Sequence, residues 1–198
     1  MAVADMFLAL IPRIRRILFN PKEEWAVIAG ETTGSGAIWT GYVIPLAALS
    51  ALAGLVGGLV FGSPLGSVMG GALGISFGVR YYVQIAIAGF VGSVVGVALV
   101  SWLVGVLAPT FGAKCEGNTG LKVAAYSYTA ALVAGLFAII PMLSVLGILG
   151  LYSIYLLFLG LKALTGVSEE KAIPYTATIF VAGLVVSLAA GALFGRVF

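Results

Sequence analysis

Apolar positions come in long blocks along this chain, and residues 122–171 show the pattern most clearly. Positions 123–140 carry nothing ionisable, Pro141 interrupts, and 142–161 are again free of charge as far as Lys162. Each block reaches the roughly 17 to 25 apolar residues needed to cross a bilayer. A lone proline with no polar excursion around it predicts a tight hairpin that turns at one membrane face and returns to the other. Lys122 and Lys162 then share a side. Similar blocks elsewhere complete five predicted spans at 37–61, 81–107, 123–140, 142–161 and 172–194. The fold class is all-α: a polytopic membrane protein in which residues 1–35 form cytoplasmic amphipathic or interfacial helices and 36–198 a five-helix transmembrane domain.

Between the first two spans Gly62, Gly66, Gly70, Gly74 and Gly78 recur every four residues, which places a glycine stripe on one helical face. The stripe suits close helix packing, yet each interior glycine costs about 1 kcal/mol of helix propensity against alanine. A surface or re-entrant segment is the alternative. The excess of Lys and Arg on the cytoplasmic side arbitrates. With five spans and the N-terminus inside, Arg13, Arg15, Arg16, Lys22, Lys114, Lys122, Lys162 and Lys171 are cytoplasmic while Arg80 and Arg196 are outside, eight against two. With a sixth span the split falls to six against four. The expected topology is N-terminus in and C-terminus out.

On a helical wheel Phe7, Ile11, Ile14 and Leu18 form an apolar arc, joined by Met6, Leu10 and Ile17, with Arg13 and Arg15 at its edges and Arg16 opposite. This arrangement fits a helix lying in the headgroup layer, with Arg13, Arg15, Arg16, Lys22 and Trp25 as the lipid-interface residues. A helix packed on the protein's own membrane domain is the alternative. Asn20 and Pro21 read as the start of a second helix, with Asn20 as cap and Glu23 able to return a capping bond. Residues 1–31 are charged and lack the cleavage pattern of a signal peptide. Within the spans, Gly54, Gly58, Gly92 and Gly96, like Gly66, Gly70 and Gly74 in the stripe, mark faces open to helix packing. Pro45 predicts a kink. Gln84, Tyr126, Tyr128, Thr129, Tyr152 and Tyr155 are the polar groups that need partners in lipid, and together they could line a polar path.

Composition narrows the chemistry. Hydrophobic residues make up 62% of the chain and charged residues 9%, against roughly 45 to 50% and 25% in soluble domains. Histidine is absent and Cys115 is the one cysteine, so the usual catalytic His, disulfide, zinc and haem arrangements have no residues to build them. No Asp, Glu, Lys, Arg or His falls in the middle of a proposed span, which argues against a coupled pump. No catalytic constellation, metal site or cofactor is expected, nor any nucleic-acid partner.

Asn20-Pro21-Lys22-Glu23-Glu24-Trp25 before the first span, the five spans, the proline-turned hairpin, and Gly160-Leu161-Lys162-Ala163 followed by Lys171-Ala172 resemble the Yip1 family of membrane proteins. The resemblance implies a cytoplasmic N-terminus and five transmembrane helices. Eukaryotic members are linked to vesicle traffic through Rab GTPases and carry a long N-terminal region with an Asp-Leu-x-Gly-Pro motif. This chain has about 35 residues there and no such motif, like the prokaryotic branch. The expectation is a non-catalytic scaffold or membrane-organising factor of a prokaryotic plasma membrane. Its partners would be lipid and other membrane proteins, and it would assemble as a homo-oligomer. The alternative is a passive channel or small-molecule transporter formed by oligomerisation.

Overall fold

The computed structural model describes residues 3–62 and 78–194. The stripe at Gly66, Gly70 and Gly74, and with it the choice between a sixth crossing and a surface or re-entrant segment, lies outside the described residues, as do Arg196 and the side chains of Met6 and Phe7. Every described element is helical. In chain order these are α1 (Val3–Phe19), α2 (Pro21–Gly30), α3 (Ser35–Phe61), α4 (Val79–Leu107), α5 (Thr119–Ser127), α6 (Thr129–Leu136), α7 (Tyr152–Thr165) and α8 (Glu169–Phe194). Five segments among the described residues are long and apolar enough to cross a membrane: Ser35–Phe61, Val79–Leu107, Thr119–Ile139, Val145–Thr165 and Glu169–Leu188.

Prolines shape the irregular places. Pro45 has no N–H to offer the carbonyl four residues back, and the preceding turn of α3, Trp39–Val43, widens into a π-helix in which Ile44 N–H bonds Trp39 O. In the hairpin, α6 tightens into a 3-10 turn at Phe137–Ile139. Ile140 then leaves the helix at φ −118° and ψ 111°, the extended region favoured before proline. Beyond it, Pro141–Leu151 winds as a 3-10 helix of 11 residues before α7 begins, far longer than the three or four usual for that form. The second limb of the hairpin is therefore not one α-helix.

Packing joins α3 to α4 and α6, α4 to α5, α5 to α7, and α8 to both α7 and α4, while α2 lies across α7. One end of the bundle gathers the polar connections. Lys114 N–H bonds Thr165 O at 2.9 Å, meeting a carbonyl left over at the end of α7, and Gly166 supplies the left-handed φ of 64° that stops the helix. Lys162 pairs with Glu169 across that turn at 2.7 Å. The flanks are apolar and open: Leu52, Val60, Ile85, Val95, Val145 and Val185 are all exposed. Such a continuous apolar exterior suits hydrocarbon as its solvent.

Candidate functional site

At the polar end α1 and α2 dock onto the bundle, and the docking is built around Trp25. Three residues of α2 turn inward, Glu24, Trp25 and Ile28, and the indole of Trp25 is fully buried. It lies against Gly160 of α7, where a Cβ would come within 2.6 Å of the ring. Only glycine leaves that slot. Tyr126 of α5 meets the indole edge-on at a centroid distance of 6.3 Å, and Tyr42 of α3 meets Tyr126 at 4.8 Å, so three helices share one aromatic cluster. Thr129 Oγ1 donates to Tyr126 O at 2.7 Å, which makes Tyr42 the donor in its 2.7 Å bond to Thr129. Tyr152 donates from α7 to Leu18 O at 3.2 Å and ties down the end of α1.

A charged cluster overlies the aromatic one. Glu24, 2% exposed, accepts from Arg13 at 2.6 Å and from Arg16 at 2.8 Å, and Arg13 also reaches Glu31 at 2.5 Å. The Arg13 guanidinium sits 5.5 Å above the Tyr126 ring, a cation–π distance. Burial works against its charge, but the Glu31 hydrogen bond and the fields of Tyr126, Glu31 and Glu24 outweigh that and hold its pKa above the ordinary value. Lys122, almost wholly buried, donates its ammonium to Ile28 O and Glu31 O. Those carbonyls form the C-terminal end of α2, the negative pole of the helix dipole. Asn118 donates its side-chain amide to Thr33 O. Each charge that leaves water here meets opposite charge or a carbonyl, which such burial requires. The uncharged indole Nε1–H of Trp25 is buried with no acceptor among the described residues.

The residues singled out in the sequence fall in several places. Arg13 faces inward, Arg16 bridges from the edge, and Arg15 and Lys22 stay exposed. Trp25 sits inside the protein rather than at its surface, because Gly160 opens a slot for it. Leu10 and Ile17 of the apolar arc are buried, Ile14 and Leu18 half-buried, and Ile11 is exposed. Asn20 holds the cap position of α2, but its side chain makes no capping bond. Gly58 lies against the Tyr82 ring and Gly96 against the Tyr128 hydroxyl, whereas a Cβ at Gly54 or Gly92 would meet nothing within 4 Å. Of the polar-path residues, Tyr126 and Thr129 come together with Tyr42, and Tyr152 pairs with Tyr155 at 5.4 Å. Gln84 stands apart, exposed on α4.

Sequence reasoning passed over Glu24, Glu31, Lys122, Asn118, Tyr42 and the role of Gly160. One signal was available: carboxylates clustered beside an apolar domain need cations, and Arg16 and Arg13 precede Glu24 by only 8 and 11 residues. Residues 15–190 match the family model for the Yip1 domain. No curated protein and no solved structure matches the chain.

Proposed function

This chain belongs to the Yip1 family, and from that premise we propose that it is a non-catalytic scaffold of the membrane, presenting α1 and α2 as a fixed platform to lipid headgroups and partner membrane proteins. The observation that carries this reading is the outward face of the docked pair. While Trp25 and Glu24 lock the inner face, Ile11, Phe19 (77% exposed) and Val27 stand out beside Arg15 and Lys22. Apolar and cationic side chains mixed on one exposed face suit the headgroup boundary, where anionic lipid attracts the cations and the apolar groups enter the acyl region. Partner contact would use the same rigid platform. We place this end at the cytoplasmic side of a prokaryotic plasma membrane, with the C-terminus outside, on the basic-residue asymmetry.

The test is capture of the full chain in mild detergent followed by reciprocal capture of each recovered membrane protein. Partners should be retained by the wild type and lost in Ile11→Glu with Phe19→Glu, two changes that leave the buried clusters intact. Partners held equally by both forms would count against the platform. Ion or solute flux above that of empty vesicles in sealed proteoliposomes would favour the passive-channel reading instead.

A further inference from the structure

Within the membrane-spanning part a cavity of about 280 Å³ opens between α4, the α5–α6 junction, the start of α7 and α8. Its floor is formed by Val100, Ser127, Leu157 and Ile179, all buried, and its mouth by Leu151, Phe180 and Leu184, all exposed. The opening has a simple origin. The first half of α8 buries Ala172, Tyr175 and Ile179 against the bundle, while from Val181 onward the helix is largely exposed and leaves space behind it. Gly150 and Gly183 line that space without side chains, and a Cβ at Gly183 would meet nothing within 4 Å.

One polar group in this floor lacks a partner. The buried threonine hydroxyls of the spans are satisfied: Thr129 by Tyr126 O, Thr165 by Leu161 O, Thr176 by Ala172 O. Ser127 Oγ is buried with no hydrogen-bond partner among the described residues. In a medium without water an orphaned hydroxyl is rare and points to a missing group. On the cavity wall Ser153 Oγ accepts from Ala131 N–H at 3.0 Å, which leaves its own proton to give away.

Depth and size select the occupant. Lys122 marks the charged layer, and Ser127 lies five residues further along, roughly 7.5 Å deeper at about 1.5 Å per residue. That is about the thickness of one headgroup layer, so Ser127 stands where hydrocarbon begins and glycerolipid ester carbonyls lie. The volume equals about nine waters at roughly 30 Å³ each. It is too small for even one turn of a helix, about 420 Å³ at roughly 10 Å diameter and 5.4 Å pitch. We infer that the groove holds one acyl chain of a membrane glycerolipid, with the Ser127 hydroxyl donating to the ester carbonyl and the chain running down past Gly150 and Gly183. This rests on membrane residence, not on partner binding.

The test reconstitutes the full chain in phosphatidylglycerol vesicles containing a phospholipid with a diazirine near the end of one acyl chain, then maps photo-adducts by mass spectrometry. Adducts should concentrate on 150–154 and 183–187 relative to the outward residues Ile85 and Val95 of α4. Gly183→Phe, which fills open space, should reduce them to the level of α4. Ser127→Ala removes one hydrogen bond, changes no packing of consequence, and should reduce them about threefold. Adducts no denser in the groove than on α4, or unchanged by either variant, would overturn the inference. Partner capture held equally by the wild type and the Ile11→Glu, Phe19→Glu form, with these adducts intact, would strike the scaffold reading alone.

Discussion

Gly160 and Glu24 are the residues on which the N-terminal docking turns. A methyl group at Gly160 must displace the Trp25 ring, because the contact at 2.6 Å has no slack. Gly160→Ala should cost about 1 to 3 kcal/mol, the usual penalty of overpacking. In a background where Trp39 and Trp102 are Phe, the emission of Trp25 should shift to the red as the ring leaves its slot; unshifted emission would refute the fit. Glu24→Gln removes the charge that Arg13 and Arg16 share. Arg16 is half in water and loses little, but Arg13 is mostly enclosed, so about 2 to 3 kcal/mol is expected in thermal unfolding in mild detergent. Glu31 remains for Arg13 and keeps the loss below that of a fully orphaned buried charge.

At the scale of elements, α1 and α2 act as one unit because their inner faces are joined by ion pairs and their outer faces are not. Reversing Arg15 and Lys22 to Glu should leave the docking whole while weakening attraction to anionic lipid by about 1 kcal/mol or more per charge. A spin label at Phe19 in phosphatidylglycerol vesicles should then lose accessibility to dissolved oxygen. Arg13→Glu should do something different, placing a third carboxylate beside Glu24 and Glu31 and freeing the helix pair. Identical effects from the two changes would mean that inner and outer faces are not distinct. The apolar arc of α1 was legible from a helical wheel, but not what covers it, since lipid and the protein's own α-helices offer Leu10 and Ile17 equally apolar surroundings.

For the whole molecule, the gathering of α1, α2, the 108–118 connection and the α7–α8 turn at one end makes a single labelling experiment decisive for the proposed orientation. A membrane-impermeant maleimide should miss Cys115 in intact cells and reach it in inverted vesicles. Burial raises the Cys115 thiol pKa above its usual range, partly offset by a backbone hydrogen bond from Gly120, so the reactive thiolate is scarce at neutral pH. Labelling in inverted vesicles should therefore be slow near pH 7 and still accelerating above pH 9. Prompt labelling from outside would reverse the topology.

By itself the sequence determined that the chain is a helical membrane protein and marked the five runs among the described residues that are long and apolar enough to span, because the length of an apolar run and the absence of charge within it are local properties, and a bilayer of fixed thickness reads them directly. It also carried both family stretches, Asn20 to Trp25 and Gly160 to Ala163, as separate words. That the two meet, the indole of one against the glycine of the other, was decided only by the tertiary structure. The same holds for the partners of Glu24, Glu31 and Lys122, for the 3-10 winding after Pro141 and for the cavity at Ser127. Their causes lie between helices: in lipid, apolar faces are interchangeable, so which face meets which is chosen by the fit of a few glycines, rings and buried charges brought together from distant parts of the chain.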